Sequence, residues 1–281
     1  MELFQWGTNP WGQDVLVRIS WSLLYLAFYG GLAFLVGHAV WKQWFARAEA
    51  FAPSAAPAAV TAAIPARIEK YTLAARLFHW VMAAAMLVLL VTGFLPIVGM
   101  KFAWVTIHWI AGVVLTLSIV YHIVHAMFFL DPWSVWVGPS DIADAIRRLR
   151  RQLGASIDPP RKSGKYALDN RLYHSAVLLT GLAATVTGLV MMVRVETPFW
   201  TRNPYLLADQ TWGYTYVIHG LGGVALVTLI MAHIYFAIRP EKFWMTKSMI
   251  YGWIGREDYL GHHDPERWVV TKPTASKSAD A

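Results

Sequence analysis

Five stretches of this chain contain no Asp, Glu, Lys or Arg, and apolar residues dominate each of them. About 20 helical residues are enough to cross the hydrocarbon core of a bilayer, so each stretch is long enough to span a membrane. We therefore predict an all-α membrane protein with five transmembrane helices. The five stretches are 19–41, 77–100, 102–130, 172–193 and 210–238.

The composition supports a membrane protein and narrows its chemistry. Of the 281 residues, 57% are hydrophobic and 15% are charged, whereas a soluble domain averages about 25% charged residues. This excludes a disordered chain, a coiled coil and an ordinary soluble enzyme. The chain has no Cys, which excludes disulfides, thiolate-held iron–sulfur clusters and covalently attached c-type haem. Metal chemistry must therefore depend mainly on the ten His.

Lys and Arg are divided unevenly among the connections between the apolar stretches. Residues 42–76, 131–171 and 239–281 hold 20 of the 24. Basic connections face the cytoplasm in most membrane proteins. We therefore predict a multi-pass membrane protein with its N-terminus outside and its C-terminus in the cytoplasm. The net charge of +7 follows from this placement, and we expect membrane lipids rather than nucleic acid as a partner.

The connections also predict the domain organisation. An Ala- and Pro-rich linker separates the first apolar stretch from the other four, and an amphipathic surface helix is predicted over 140–153. The predicted parts are an N-terminal segment with an extra transmembrane helix (1–45), a cytoplasmic linker (46–70), a four-helix bundle (71–240) with a cytoplasmic loop (131–168), and a cytoplasmic tail (241–281).

The four-helix region contains an internal duplication. Segments 76–93 and 171–188 both begin with Arg, Leu, an aromatic residue and His, and both end with Thr-Gly at the same spacing. Segments 107–123 and 218–234 share Ile-His, Gly-Val and His-Ile, again at equal spacing. The bundle is therefore predicted to consist of two parallel two-helix repeats, related by an axis along the membrane normal.

Seven His lie at membrane depth within this region. One such His is most simply explained as a polar side chain that is hydrogen-bonded between helices. Seven favour a cofactor, because ionisable residues inside membranes are rare and usually functional. They are His79, His108, His122, His125, His174, His219 and His233.

The spacing of these His places them at two levels. His108 and His122 are fourteen residues apart, which is nearly four helical turns, so they share a helix face about 21 Å apart. His219 and His233 repeat this spacing. We predict that His108 and His219 lie at the outer level. The inner level then holds His79, His122, His174 and His233.

Paired imidazoles at two levels favour haem over zinc. Neutral imidazole can bind a haem iron from either axial face, whereas zinc requires three or four ligands converging at one depth. We therefore predict two b haems, which would form an electron path across the bilayer. An organic redox carrier dissolved in the membrane is the natural second partner. The sequence indicates no catalytic triad, phosphate loop or paired-carboxylate site, so we predict no catalytic residues.

Several motifs give the chain a family resemblance over roughly 70–270. It resembles the cytochrome b (gamma) subunit of membrane-bound formate dehydrogenases. The motifs are Arg-Leu-Phe-His-Trp at 76–80, Ile-His followed by Gly at 107–112, Gly-Lys-Tyr at 164–166, Ile-His at 218–219, Ala-His-Ile-Tyr at 232–235, Ser-Met-Ile-Tyr-Gly at 248–252 and His-His-Asp-Pro-Glu-Arg-Trp at 262–268.

The resemblance implies an anchor for an external catalytic subunit and an iron–sulfur electron-transfer subunit. It implies two b haems and electron transfer to quinone near the cytoplasmic face. By position, His108 and His219 would ligate the outer haem, and His79 and His233 the inner haem. Related subunits serve hydrogenases, and also molybdenum enzymes other than formate dehydrogenase. The resemblance therefore indicates a role in electron transfer more than it indicates the substrate of the complex.

Three features depart from the family pattern. The first apolar stretch is extra, and Ala167 replaces the polar residue that follows Gly-Lys-Tyr in the family. Asp169 and Asn170 are the nearest polar substitutes for quinone contacts. The inner level also has more His than one haem needs. His125, one turn beyond His122, is expected to be interfacial or to donate a proton to quinone.

The surplus His suggest a hypothesis about haem number. Twofold symmetry maps His79 onto His174 and His233 onto His122, while the outer pair maps onto itself. A third haem between His122 and His174 is therefore one hypothesis. The alternative is that these two His are relics of the duplication, hydrogen-bonded or close to quinone.

Other functions remain open at this stage. One alternative is a standalone cytochrome b561-like quinol-linked reductase, and another is the cytochrome b subunit of a hydrogenase or another respiratory oxidoreductase. A haem-free anchor or transporter with structural His belongs to a different class. His262 and His263 lie in a polar segment and are expected to be solvated or to contact a partner subunit.

Overall fold

A computed structural model describes residues 2–45 and 56–270, and these residues are mostly helical. Five helices in them are long and apolar enough to cross a membrane, which confirms the predicted all-α membrane fold. In chain order the elements are β1 Phe4–Thr8, β2 Asp14–Ile19, α1 Ser22–Trp44, α2 Ala58–Ala62, β3 Arg67–Glu69, α3 Leu73–Phe94, α4 Trp104–Phe129, α5 Pro139–Gln152, α6 Leu168–Met192, α7 Asp209–Ile238, α8 Phe243–Tyr251, β4 Trp253–Gly255 and α9 Arg256–His262.

The described residues form two compact units. The bundle unit comprises 2–44, 77–132 and 173–237, and the loop unit comprises 45, 56–76, 133–172 and 238–270. The first ten residues of the predicted linker, 46–55, and the end of the predicted tail, 271–281, lie outside the described residues.

Two of the spanning helices begin earlier than the charge-free stretches. Helices α3 and α6 each include an extra N-terminal turn that contains Arg76 or Arg171. Each Arg reaches a hydrogen-bond acceptor within the loop unit. Arg76 donates to the carbonyl of Ile250, and Arg171 forms an ion pair of 2.7 Å with Asp141. Because each guanidinium has an acceptor in the loop unit, a charge is compatible with the first helical turn.

Close contacts between α6 and α7 help to hold the bundle unit together. Gly222 on α7 is buried, and a Cβ there would lie 3.1 Å from the carbonyl oxygen of Thr180 on α6. The absence of a side chain at Gly222 allows the backbones of α6 and α7 to approach closely, and such close packing stabilises helix association inside a membrane. A cluster of buried apolar side chains surrounds the contact region of α3, α4 and α7. Its members are Ala85, Met86, Leu115 and Leu226.

The N-terminal residues form a β-hairpin that the charge pattern did not predict. Strands β1 and β2 pair antiparallel, from Phe4 opposite Ile19 to Thr8 opposite Asp14. The Asn9 side-chain oxygen accepts the backbone N–H of Gln13 at 2.9 Å, and Gly12 has a positive φ of 81°. Asn at a turn start and Gly at positive φ are ordinary turn residues. Residues 9–12 therefore contain ordinary turn residues, but neither the distribution of charges nor the length of an apolar stretch indicates a hairpin there.

The hairpin and α1 pack against α7, so the extra helix belongs to the bundle unit. Leu16, Ile19 and Leu24 form a buried cluster with Val217 and Val224 of α7.

Polar contacts continue this interface along α1. Thr228 donates its hydroxyl to the carbonyl of Ala27 at 3.1 Å. Farther along, His38 and Tyr235 share a hydrogen bond of 3.0 Å. The interface therefore extends over most of the length of α1.

The loop unit contains the other sheet and, within the predicted tail, two short helices that the sequence did not suggest. Strands β3 and β4 pair antiparallel over a core that includes Ile64, Ile68, Ile254 and Tyr259. Residues 243–262 form α8, β4 and α9. Ile254 and Tyr259 of this segment are buried in that core, although the sequence predicted only a cytoplasmic tail here.

The predicted surface helix at 140–153 is present as α5, at Pro139–Gln152. The Asp141 side chain accepts the backbone N–H of Gly138 at 2.9 Å and so satisfies a donor at the N-terminus of the helix. The apolar side chains of α5 share one face, and its four Arg lie on the rest of its surface.

We expect Gly213→Ala to loosen the hairpin. A Cβ at Gly213 would lie 2.1 Å from the carbonyl oxygen of Leu16, and a backbone atom cannot move aside as a side chain can. Overpacking of this kind costs about 1–3 kcal/mol. Thermal unfolding and limited proteolysis of the N-terminal segment would measure the effect. Gly30→Ala in α1 is the control, since no atom lies within 4 Å of its Cβ; equal stability of the two variants would contradict the expectation.

Candidate functional site

The outer His pair joins α4 to α7. The ring centres of His108 and His219 are 6.2 Å apart, and the ring planes are inclined at 69°. Both side chains are half-buried. The sequence predicted that these two His share a level, and the structure brings their rings together within the bundle unit.

Each ring of this pair is held through its Nδ1 atom. His108 Nδ1 lies 2.8 Å from the Thr92 hydroxyl oxygen, and that hydroxyl donates to the carbonyl of Val88 at 2.7 Å. The Thr92 oxygen therefore accepts from His108, which places the imidazole proton on Nδ1. His219 Nδ1 donates in the same way to the carbonyl of Ala184 at 2.9 Å. Both arrangements leave Nε2 as the atom with a free lone pair for a metal.

The Thr-Gly motif of the repeat accounts for this arrangement. Thr187 lies 3.2 Å from His219 Nδ1, as its repeat equivalent Thr92 lies beside His108. The next residue is Gly in both repeats. A Cβ would lie 3.5 Å from His108 at Gly93 and 3.2 Å from His219 at Gly188. The two glycines therefore leave room for the imidazoles beside their helices.

One inner His pair joins α3 to α7. The ring centres of His79 and His233 are 6.2 Å apart, with planes inclined at 52°. Tyr173 stacks on His233 at 5.0 Å and 19°. This aromatic contact restricts the orientation of the imidazole.

A second inner pair joins α4 to α6. The ring centres of His122 and His174 are 6.5 Å apart, with planes inclined at 62°. Phe78 stacks on His122 at 4.2 Å and 7°. Phe78 and Tyr173 occupy equivalent positions in the two repeats, so the two inner pairs repeat the same local arrangement.

These separations fit an iron held between two imidazoles. With metal–nitrogen bonds of about 2 Å and about 1.1 Å from nitrogen to ring centre, the ring centres lie about 6 Å apart. Zinc fits less well. Among residues 2–45 and 56–270, no group of three or more His, Asp or Glu is arranged to hold a metal ion.

Comparison with known families decides the class of cofactor. A family model described as prokaryotic cytochrome b561 matches residues 70–252. The chain belongs to the prokaryotic cytochrome b561 family. It is therefore a multi-pass membrane cytochrome b that binds haem b and transfers electrons. A comparison with curated proteins gave no match.

The matched region contains all the paired His of this cytochrome b561. It begins just before α3 and ends just after α8. The hairpin and α1 precede it. Membership of the family implies haem b, and the paired His are the candidates to hold it.

The predicted quinone-site residues lie in different surroundings. Asp169 and Asn170, in the first turn of α6, belong to the loop unit. Asp169 is ion-paired with Lys242, and Asn170 donates to the Met245 sulfur at 3.6 Å. His125 belongs to the bundle unit and stacks between Tyr121 and Phe129 of its own helix. The role of all three in quinone binding stays a prediction.

The terminal family motif surrounds a buried Lys that the sequence analysis missed. Lys70 is 2% exposed, and its ammonium lies 3.2 Å from His263 Nε2. The His263 Nδ1 donates to the carbonyl of Gly164 at 2.6 Å. The ammonium also lies over the Trp268 ring, 5.3 Å from its centre. The Gly-Lys-Tyr and His-His motifs are thus joined through Lys70.

His263 is 3% exposed, so of the two expectations for this motif, solvated residues or contact with a partner subunit, the first is wrong for His263. Polarity suggested solvent, but Lys70 and Gly164 satisfy both ring nitrogens inside the loop unit. The neighbouring His262 stacks on Trp244 at 4.7 Å. A single Lys at the end of a linker carries no pattern that would have predicted this cluster.

Burial lowers the pKa of Lys70 to about 7, and the nearby charge of Lys165 acts in the same direction. Burial and the charge of Lys70 lower the pKa of His263 to about 3. In the unfolded chain Lys70 would regain its ordinary pKa of about 10.5. The unfolded state therefore binds more protons between pH 7 and 10.5, and stability must rise with pH across that range.

We expect Lys70→Met to remove this dependence. The stability of wild-type protein in detergent should rise between pH 7 and 9.5, whereas that of the variant should change less. Thermal unfolding at several pH values measures the slope. Lys247→Met, at an exposed position of α8, is the control and should keep the wild-type slope. A wild-type slope in Lys70→Met would contradict the assignment.

We also expect the two repeat glycines to respond differently to Ala. A Cβ at Gly188 would crowd His219 at 3.2 Å, whereas one at Gly93 would make ordinary contact with His108 at 3.5 Å. Gly188→Ala should shift the reduction potential or lower the occupancy of one haem, and Gly93→Ala should resemble wild type. Redox titration and haem content test this. Equal effects would show that these contacts do not determine ring placement.

Proposed function

We propose that this cytochrome is the membrane-anchoring subunit that carries electrons between an external dehydrogenase and the quinone pool. The observation that carries the proposal is the pairing of His at two levels. His108 and His219 pair at one level of α4 and α7, and His233 pairs with His79 fourteen residues farther along α7. About 21 Å separates the two levels along a helix.

We assign His108 and His219 to the outer haem and His79 and His233 to the inner one. Bound haem supplies a one-electron carrier at each level. The protein contributes fixed imidazole orientations, through Thr92 and the carbonyl of Ala184 at the outer pair. Fixed ligands tune a haem and limit the rearrangement that accompanies electron transfer.

The proposed orientation places quinone chemistry on the cytoplasmic side of the bacterial inner membrane. Positively charged connections flank the inner level, which supports a cytoplasmic position for it. The N-terminus would then be periplasmic. Asp169, Asn170 and His125 are our candidates for contacts with quinone, since they are polar groups close in sequence to the inner-level His.

The proposed partners are an iron–sulfur electron-transfer subunit and an external catalytic subunit. The resemblance to formate dehydrogenase gamma subunits supports this assignment. Two of the motifs that carry it meet in the loop unit, where Gly164 accepts from His263. The packing of these motifs against Lys70 is a structural reason for their joint occurrence.

A standalone quinol-linked reductase is the second candidate. The family description, prokaryotic cytochrome b561, favours it, and a hydrogenase partner is equally compatible with the family. Purification of the tagged chain under mild conditions separates these cases. Co-purifying iron–sulfur and molybdenum subunits would support the proposal, and a haem-loaded chain that oxidises quinol alone would support the standalone reductase.

His108→Ala tests the direction of the path. In the complex, the variant should lose the outer haem and block reduction of quinone by the external donor. Quinol should still reduce the inner haem, because His79 and His233 are unchanged. Stopped-flow spectroscopy in the haem absorption bands follows both processes. Loss of reduction by quinol with intact reduction by the donor would reverse the assigned order of the two levels.

A further inference from the structure

We propose that His122 and His174 ligate a third b haem, at the same membrane level as His79 and His233. This rests on the proposed function, since it takes the other two pairs as haem ligands. It assigns the chain three haems, one outer and two inner.

The separation of the rings is the first argument. His122 and His174 have ring centres 6.5 Å apart, against 6.2 Å in each of the other pairs. The interplanar angle of 62° lies between the 52° and 69° of those pairs. The ring separation and inclination of this pair are therefore close to those of the two pairs assigned to haem.

A hydrogen bond between the two imidazoles does not explain this separation. A direct N–H···N bond of about 3 Å, with about 1.1 Å from each nitrogen to its ring centre, would place the centres about 5 Å apart. The observed 6.5 Å exceeds this by more than an ångström. An atom placed between the two nitrogens accounts for the extra length.

The repeat provides an independent argument. His174 is the seventh residue of α6, as His79 is of α3, and His122 occupies the repeat position of His233. The twofold operation that exchanges the repeats therefore exchanges the two inner pairs. The outer pair maps onto itself. A haem at only one inner pair would break the symmetry that the His positions of the two repeats follow.

Aromatic stacking follows the same symmetry. Phe78, next to His79, stacks on His122, and Tyr173, next to His174, stacks on His233. Stacking uses the face of an imidazole, whereas iron binds at a nitrogen in the ring plane, so both contacts can coexist. The residue beside one His of each inner pair thus stacks on a ring of the other pair.

Haem content per polypeptide tests the proposal. Pyridine haemochromogen measurement on the purified complex should give three haems per chain. His174→Ala should give two, and so should His122→Ala. The double variant should also give two, because both side chains hold the same haem. His79→Ala combined with His174→Ala should give one.

His125→Ala is the matched control, since His125 lies one turn from His122 but stacks with Tyr121 and Phe129 instead of a second His. It should retain three haems. A second variant distinguishes loss of a haem ligand from misfolding of the Ala variants. In His174→Met the thioether can replace the imidazole as axial ligand, so three haems should remain, one with an altered spectrum and a raised potential. A purely structural role for His174 would give no such signature.

The outcomes distinguish failure of the third haem from failure of the proposed function. Two haems in wild type, and two in His174→Ala, would overturn the third haem and leave the proposed electron path intact. Two haems in wild type, with loss of one in His174→Ala but not in His79→Ala, would overturn the assignment of the inner pair. Absence of haem absorption in all forms would overturn both.

Discussion

In the bundle unit, paired imidazoles join different helices with ring centres 6.2 to 6.5 Å apart, and a haem between such a pair would require that separation to be maintained. Lipid offers no hydrogen bonds, so every restraint on a ring has to come from the protein. At the outer pair, Thr92, Ala184 and the adjacent glycines fix which nitrogen is protonated and where the ring lies. At the inner level, Phe78 and Tyr173 restrict the rings by stacking. The same residues that pack between the helices therefore also set the orientation of the paired imidazoles.

The internal duplication repeats this arrangement of imidazoles and restraining residues in the second half of the bundle. The same Arg, Leu, aromatic and His sequence opens α3 and α6, and the same Thr-Gly follows. The loop unit has no such symmetry. There Lys70 contacts His263, and His263 donates to Gly164, so two motifs that are distant in the sequence meet. The chain therefore combines a bundle unit with repeated His pairs and a loop unit that lacks the repeat.

The spans and paired His were predictable because their signals are local and repeated. An uncharged apolar stretch as long as 102–130 predicts a helix that spans the membrane. The fourteen-residue spacing from His108 to His122 places both side chains on the same face of that helix. The hairpin and Lys70 were not predictable in the same way. The hairpin depends on a short turn at Asn9, and Lys70 is buried only because residues almost 200 positions away complete its surroundings. Polarity alone predicted solvent for His263, whereas its partners lie in distant segments.

The interface between α1 and α7 has a consequence for biogenesis. Thr228 bonds to Ala27 across 201 positions, so α1 leaves the ribosome well before the helix against which it packs. At about 5–20 residues per second, translation delays this contact by roughly 10–40 s. During that interval α1, with its apolar side chains, must be stabilised by lipid or the insertion machinery. Helix α7 also supplies His219 and His233, so the two His pairs that include them can form only after α7 has entered the bilayer.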